Sequence, residues 1–148
     1  MADRPSEKAL HEFLSESQEI VEALNRDLLA LDRTRESGAH DPDLINGSFR
    51  AVHSLKGLSG LFGVTRMTTL AHALESLLDS VRLGRVPITP AILDLLFESV
   101  ELFGRLVAEV SAGRDGTAVE VDGYLSRLAR AAAPEPAAEA SAFADYEL

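Results

Sequence analysis

A histidine at 53 with a lysine at 56 and glycines at 57 and 60, followed by a histidine at 72 and a glutamate at 75, forms the part of this sequence best suited to chemistry. On a helix turning about 100° per residue, His53 points roughly 125° from the centre of the apolar face formed by Ile45, Phe49, Val52, Leu55 and Ser59. It is therefore expected to be an exposed imidazole on a rigid helix rather than a core residue. Gly57 and Gly60 lie one and two turns on, close to the same face. A helical glycine costs about 1 kcal/mol relative to alanine. Two beside one exposed histidine have two readings: something approaches that surface closely, or they relieve crowding and loosen the helix end.

His72 and Glu75 are three apart, so they share one side of the next helix, away from its apolar stripe. His53 lies about ten residues before the intervening turn, and His72 and Glu75 about nine to twelve after it. In an antiparallel pair these positions come level, and one carboxylate can then reach His53. A glutamate accepting a hydrogen bond from Nδ1–H fixes the tautomer, leaves Nε2 as the nucleophilic nitrogen and stabilises positive charge on the ring. An imidazole so prepared can take up a phosphoryl group and pass it on, with Lys56 or His72 near its oxygens.

The elements that must position these residues follow from apolar periodicity, which is helical almost throughout. A first helix is expected from about Pro5 to Arg33, with Leu10, Phe13, Leu14, Ser17, Val21, Leu24, Leu28 and Leu31 as its stripe. A second should run from Pro42 to Leu61, capped by Asp41, and end in the tight turn GLFGV. Thr65 is expected to cap a third helix carrying Met67, Leu70, Leu74, Leu77, Leu78 and Val81, with Gly84 ending it. Thr89 and Pro90 open a fourth, carrying Ile92, Leu95, Leu96, Val100, Phe103 and Val107 and stopping before Gly113. Thr117 and Glu120 have capping-box spacing for a short fifth helix reaching Ala132. The expected fold is thus all-α: an antiparallel four-helix bundle with an additional C-terminal fifth helix over residues 1–132. Residues 133–148, rich in Ala, Pro and Glu, read as a disordered tail or interdomain linker.

Composition narrows the function classes. The 148 residues carry a formal net charge of −10, which disfavours nucleic acid as a partner. No apolar run approaches the roughly 18 residues that span a bilayer, so no membrane association is expected. Without cysteine there are no disulfides, thiolate metal sites or cysteine nucleophiles, in keeping with a cytoplasmic protein. Neither a Walker-type loop nor a G-x-G-x-x-G fingerprint is present. A metal enzyme built on His53, His72 and Glu75 would lack the paired Glu-x-x-His motifs and further glutamates of a di-iron bundle, so no metal site is expected. Between Leu44 and Leu74 there is no Asp or Glu, and Arg50, Lys56 and Arg66 are the formal charges in that stretch. The His53 surface should therefore be locally neutral to positive, suited to phosphate or to an acidic partner. Ordinary fluctuation in charge along the chain is the alternative.

Phe49-Arg50-Ala51-Val52-His53-Ser54-Leu55-Lys56-Gly57, then Gly60-Leu61-Phe62-Gly63 and Leu70-Ala71-His72-Ala73-Leu74-Glu75, resembles a histidine phosphotransfer domain. It is most like the N-terminal phosphotransfer domain of CheA-type chemotaxis kinases, over about residues 5–132. The resemblance implies that His53 is the phosphoacceptor and that Glu75 hydrogen-bonds it. It also implies that Lys56 and His72 complete the polar cluster and that Gly57 keeps the phosphoryl position open. Gly57, Gly60 and Arg50 are then expected to line the partner-docking surface. The implied partners are a CheA-type kinase catalytic domain and a CheY-like response-regulator receiver domain. ATP and Mg²⁺ would sit on those partners, with no cofactor on this chain. The competing class is a helical adaptor or oligomerisation module that is never phosphorylated.

Overall fold

The structure, a computed structural model, describes residues 6–35 and 41–132. Helix α1 spans Glu7–Thr34, α2 Pro42–Phe62, α3 Thr65–Arg82, α4 Pro90–Ser111 and α5 Asp122–Ala132. The local signals that start them are short polar side chains. Ser6 Oγ accepts from the Ala9 amide, Asp41 Oδ1 from that of Asp43 and Thr89 Oγ1 from that of Ile92. Pro42 and Pro90 occupy first-turn positions, where no amide hydrogen is needed.

Two expected start signals are corrected. Val64, not Thr65, occupies the N-cap of α3, and no side chain caps it. The turn leaves Thr65 already helical, and the hydroxyl used nearby is that of Thr68, which lies 2.9 Å from Ser59 Oγ on α2. The capping box at Thr117 and Glu120 also does not form. Thr117 instead bonds Asp115 through both its amide and its hydroxyl. Glu120 Oε1 accepts the Asp122 amide, and α5 begins there. The cause is burial: Val119 and Val121 both go into the core, and the segment reaches it through turns at Gly113 and Gly116, both at positive φ.

Helix α1 packs on α2 and α4, and α3 packs on α2, α4 and α5. Helices α1–α4 thus form an antiparallel ring, and α5 closes one side against α3. Phe13, Leu24, Leu28, Leu55, Met67, Leu70, Leu74 and Phe103 are among the fully buried side chains that fill the centre. Phe13 and Phe62 stack at 4.4 Å, joining α1 to the end of α2. The fifth helix is pinned on its apolar side by Tyr124 and Leu128, and the Tyr124 hydroxyl donates to the Leu95 carbonyl of α4. Its polar side is held by Arg127, which donates two hydrogen bonds to the carboxylate of Glu98. The expected tail at 133–148, Pro5 and His40 lie outside the described residues.

The joint that matters for the site is the α2–α3 turn. Helix α2 runs one residue past its expected end at Leu61, and Gly63 terminates it at φ 80°. The Val64 amide then closes onto the Ser59 carbonyl, a left-handed helix stop that only glycine enters without strain. Buried Val64 anchors the far side of this turn. The two helices therefore return side by side with a fixed register.

Candidate functional site

Register brings the polar cluster together. His53 Nδ1 lies 2.5 Å from Glu75 Oε2, and Lys56 Nζ donates to Glu75 Oε1 at 2.8 Å. One carboxylate of α3 thus serves two side chains of α2, one through each oxygen. The His53 side chain is 64% exposed and Glu75 only 13%, so the acid sits at the base and the ring stands out from the bundle. Lys56 is intermediate, at 30%.

Partial burial pushes the Glu75 carboxyl up, but hydrogen bonds from Lys56 and His53, and the charges of both, outweigh it and hold it below the ordinary glutamate range. Glu75 is therefore a carboxylate at neutral pH and acts as an acceptor. An acceptor at Nδ1 selects the tautomer with its proton there, leaving the Nε2 lone pair free. The arrangement is an exposed imidazole nucleophile whose ring can take on positive charge beside a fixed anion.

The glycines stand on open ground. Beyond the adjoining backbone of α2 itself, a Cβ built at Gly57 or at Gly60 would meet no heavy atom of the described residues within 4 Å. Relief of crowding against a neighbouring helix is thus not what they do here. Close beyond them Leu61 is 91% exposed, a large apolar side chain at the open end of the same helix. Arg50, one turn before His53, is exposed. Arg66 is not available in the same way, since it is half-buried and its guanidinium donates to the Val119 carbonyl.

His72 is exposed on α3 one turn before Glu75, but its ring forms no hydrogen bond with the described residues. Hydrogen bonds thus join three of the four expected polar residues, and His72 lies exposed one turn from Glu75 on the same helix. His11 is exposed on α1. Among the described residues, no group of three His, Cys, Asp or Glu side chains is placed to hold a metal ion. No helix there is long and apolar enough to cross a membrane.

Phe49, beside His53, and Arg82, which covers Phe49, were not singled out from the sequence. The Phe49 ring lies parallel to the imidazole, with centroids 6.4 Å apart and 7° between planes. The Arg82 guanidinium of α3 lies over the Phe49 ring, 4.4 Å from its centroid. The available signal for Phe49 was its spacing, four residues before His53; the apolar stripe had already claimed it. Arg82 carried no signal, because only the folded hairpin brings the end of α3 to the start of α2.

Comparison with known proteins bears on this geometry directly. The profile of the Hpt domain matches residues 8–131. The chain is 36% identical over 130 residues to chemotaxis protein CheA of Cereibacter sphaeroides, covering 88% of this chain and 19% of that protein. It is 34% identical over 141 residues to chemotaxis protein CheA of Bacillus subtilis, covering 91% of this chain and 20% of that one. It therefore spans about a fifth of the length of these curated relatives.

Solved structures show the same likeness. The CheA phosphotransferase domain from Thermotoga maritima superposes with a TM-score of 0.65 at 37% identity, over 72% of this chain and 99% of that one. The phosphorylated P1 domain of CheA3 from R. sphaeroides, solved in complex with CheY6, gives 0.71 at 26% identity, over 85% and 99%. The chain belongs to the Hpt domain family, and within it resembles the P1 phosphotransfer domain of CheA.

Proposed function

We propose that His53 is the phosphoacceptor of a chemotaxis-type phosphorelay. It receives the group from the ATP-dependent catalytic domain of a CheA-type kinase and passes it to an aspartate of a CheY-like receiver domain. The observation that carries this reading is the 2.5 Å contact between His53 Nδ1 and Glu75 on a ring that is 64% exposed. The R. sphaeroides relative, phosphorylated and bound to CheY6, supports the choice of partner. The phosphotransfer unit is residues 1–132, acting in the cytoplasm either as one module of a CheA-type kinase or as a stand-alone phosphotransfer protein. ATP and Mg²⁺ belong to the partner domains, and this chain is a carrier with no ATP-binding site of its own.

In the first step the Nε2 lone pair attacks the γ-phosphorus. The Nε2–P bond forms, the P–O bond to ADP breaks, and ADP leaves with that electron pair. The ring keeps its Nδ1 proton and becomes cationic, which the Glu75 carboxylate stabilises. In the second step a carboxylate oxygen of the regulator attacks phosphorus, the P–Nε2 bond breaks, and its electron pair returns to nitrogen. Lys56 adds positive charge beside the phosphoryl oxygens. His72, exposed one turn before Glu75 on α3, is the further side chain offered to those oxygens. Gly57, Gly60 and Arg50 form the docking surface, with exposed Leu61 as an apolar contact at its end.

The test is transfer of label from ATP through a CheA-type kinase core to this chain and to His53→Gln. Acid-labile, alkali-stable label on the parent alone is expected, with helical content equal in both. Label on both places the acceptor elsewhere. If an active, matched kinase core labels neither, the chain is a helical adaptor.

A further inference from the structure

A single hydrogen bond does not orient an exposed ring. With its side chain 64% exposed, His53 lacks the packing that holds core side chains, and exposed side chains change rotamer in picoseconds to nanoseconds. Glu75 fixes one atom, Nδ1, but leaves the imidazole free to pivot about the Nδ1–carboxylate line. Orientation requires a second contact on the face of the ring. Among the described residues, the aromatic neighbour in a position to supply one is Phe49, one turn earlier on α2 and parallel to the imidazole within 7°.

Phe49 is itself restrained. It is half-buried and packs against the core, and Arg82 covers its ring in a cation–π contact. Arg82 is in turn hydrogen-bonded to Asp79, one turn earlier on α3. The chain of contacts therefore starts on α3, crosses to α2 and ends at His53. Glu75 reaches His53 from the same helix, α3.

We propose that Phe49, held by Arg82, is a positioning residue for His53: its ring fixes the plane of the imidazole so that Nδ1 stays on Glu75 and Nε2 faces outward. This rests on His53 being the phosphoacceptor, but the device acts on the ring before any partner arrives. Removing it should mix the two imidazole tautomers and slow phosphorylation by any donor.

The experiment uses the full chain as parent, Phe49→Leu, Phe49→Tyr and Arg82→Gln. Long-range ¹H–¹⁵N spectra give the tautomer of His53 while the ring is neutral, and phosphoramidate serves as a phosphodonor that needs no kinase domain. In that reaction Nε2 bonds to phosphorus, the P–N bond of the donor breaks, and ammonia leaves with a proton from solvent. The parent should show the Nδ1–H tautomer. Phe49→Leu, which keeps apolar bulk without the ring plane, should show both tautomers and label roughly tenfold more slowly, since orientation is what it loses. Phe49→Tyr should restore both readouts.

Purely structural packing by Phe49 would lower the melting temperature without moving the tautomer, so a parental spectrum and rate in folded Phe49→Leu overturn the proposal. Should Phe49→Leu fail to fold, Arg82→Gln decides alone. A mixed tautomer upholds the stack, and an unmixed one overturns it. Failure of the parent itself to label counts against His53 as acceptor, and the tautomer comparison still tests the positioning role.

Discussion

At the scale of single residues, the site depends on how Glu75 is divided. Burial alone would make this acid harder to ionise, yet Lys56 and His53 bring its pKa below the ordinary value. The folded chain therefore binds a proton at Glu75 less readily than the unfolded chain does. The stability this contributes is fully present above the unfolded pKa and is lost as pH falls through the folded one. Urea unfolding of the parent and Glu75→Gln should thus differ by a constant amount near neutrality, with the difference shrinking on acidification below the glutamate range. A difference that widens toward acid would contradict the assigned direction. The same substitution removes the anion beside the ring, so phosphoryl acceptance should fall by about tenfold or more, measured as initial labelling rate. A parental rate would release Glu75 from its role.

At the scale of elements, α2 combines two demands. Its inner face buries Val52, Leu55 and Ser59, and its outer face carries His53 with the glycines that weaken the helix. Because nothing described beyond the adjoining backbone of α2 lies within 4 Å of a Cβ at Gly57, Gly57→Ala should stabilise the domain by up to about 1 kcal/mol. Thermal unfolding checks that gain, and the rate of transfer from the kinase domain checks its cost. If the open face is kept for approach, the variant melts higher and transfers more slowly. A higher melting temperature with unchanged transfer would show that the glycine is not required for docking. The path of the chain between elements is also what displaces the two expected caps. Thr65 and Thr117 both have suitable types and spacing, but the first lies past a glycine-closed turn and the second in a segment bent to bury two valines.

At the scale of the molecule, charge is unevenly distributed along the chain. The chain has a net charge of −10, yet residues 44 to 74 contribute no acid, and of the cations near His53 Lys56 is paired with Glu75 and Arg82 with Asp79, while Arg50 is exposed one turn before His53 and lies within electrostatic reach of Asp27. Arg66, legible in the sequence as part of that stretch, is instead spent on the loop before α5. On the proposed function, a stretch without acids on an otherwise acidic chain lowers the repulsion an acidic partner meets beside His53. Arg50→Glu should therefore slow transfer to a receiver domain severalfold at low ionic strength, with the deficit narrowing as salt is raised, because exposed charges are screened. Stopped-flow transfer rates across a salt series read this directly, and a salt-independent deficit would assign Arg50 a contact other than charge.

The amino-acid sequence by itself determined the five helices, the start signals at Asp41 and Thr89, the outward aim of His53 and the level placement of Glu75. Each of these follows from periodicity or from spacing about one short turn, and such local rules act within a few residues. Only the tertiary structure decided which oxygen of Glu75 meets which side chain and that Arg66 donates to the Val119 carbonyl. It alone placed Arg82 over Phe49 beside the imidazole. These contacts depend on the register and separation of two packed helices, so a shift of an ångström or a change of rotamer makes or breaks them without altering any pattern along the chain.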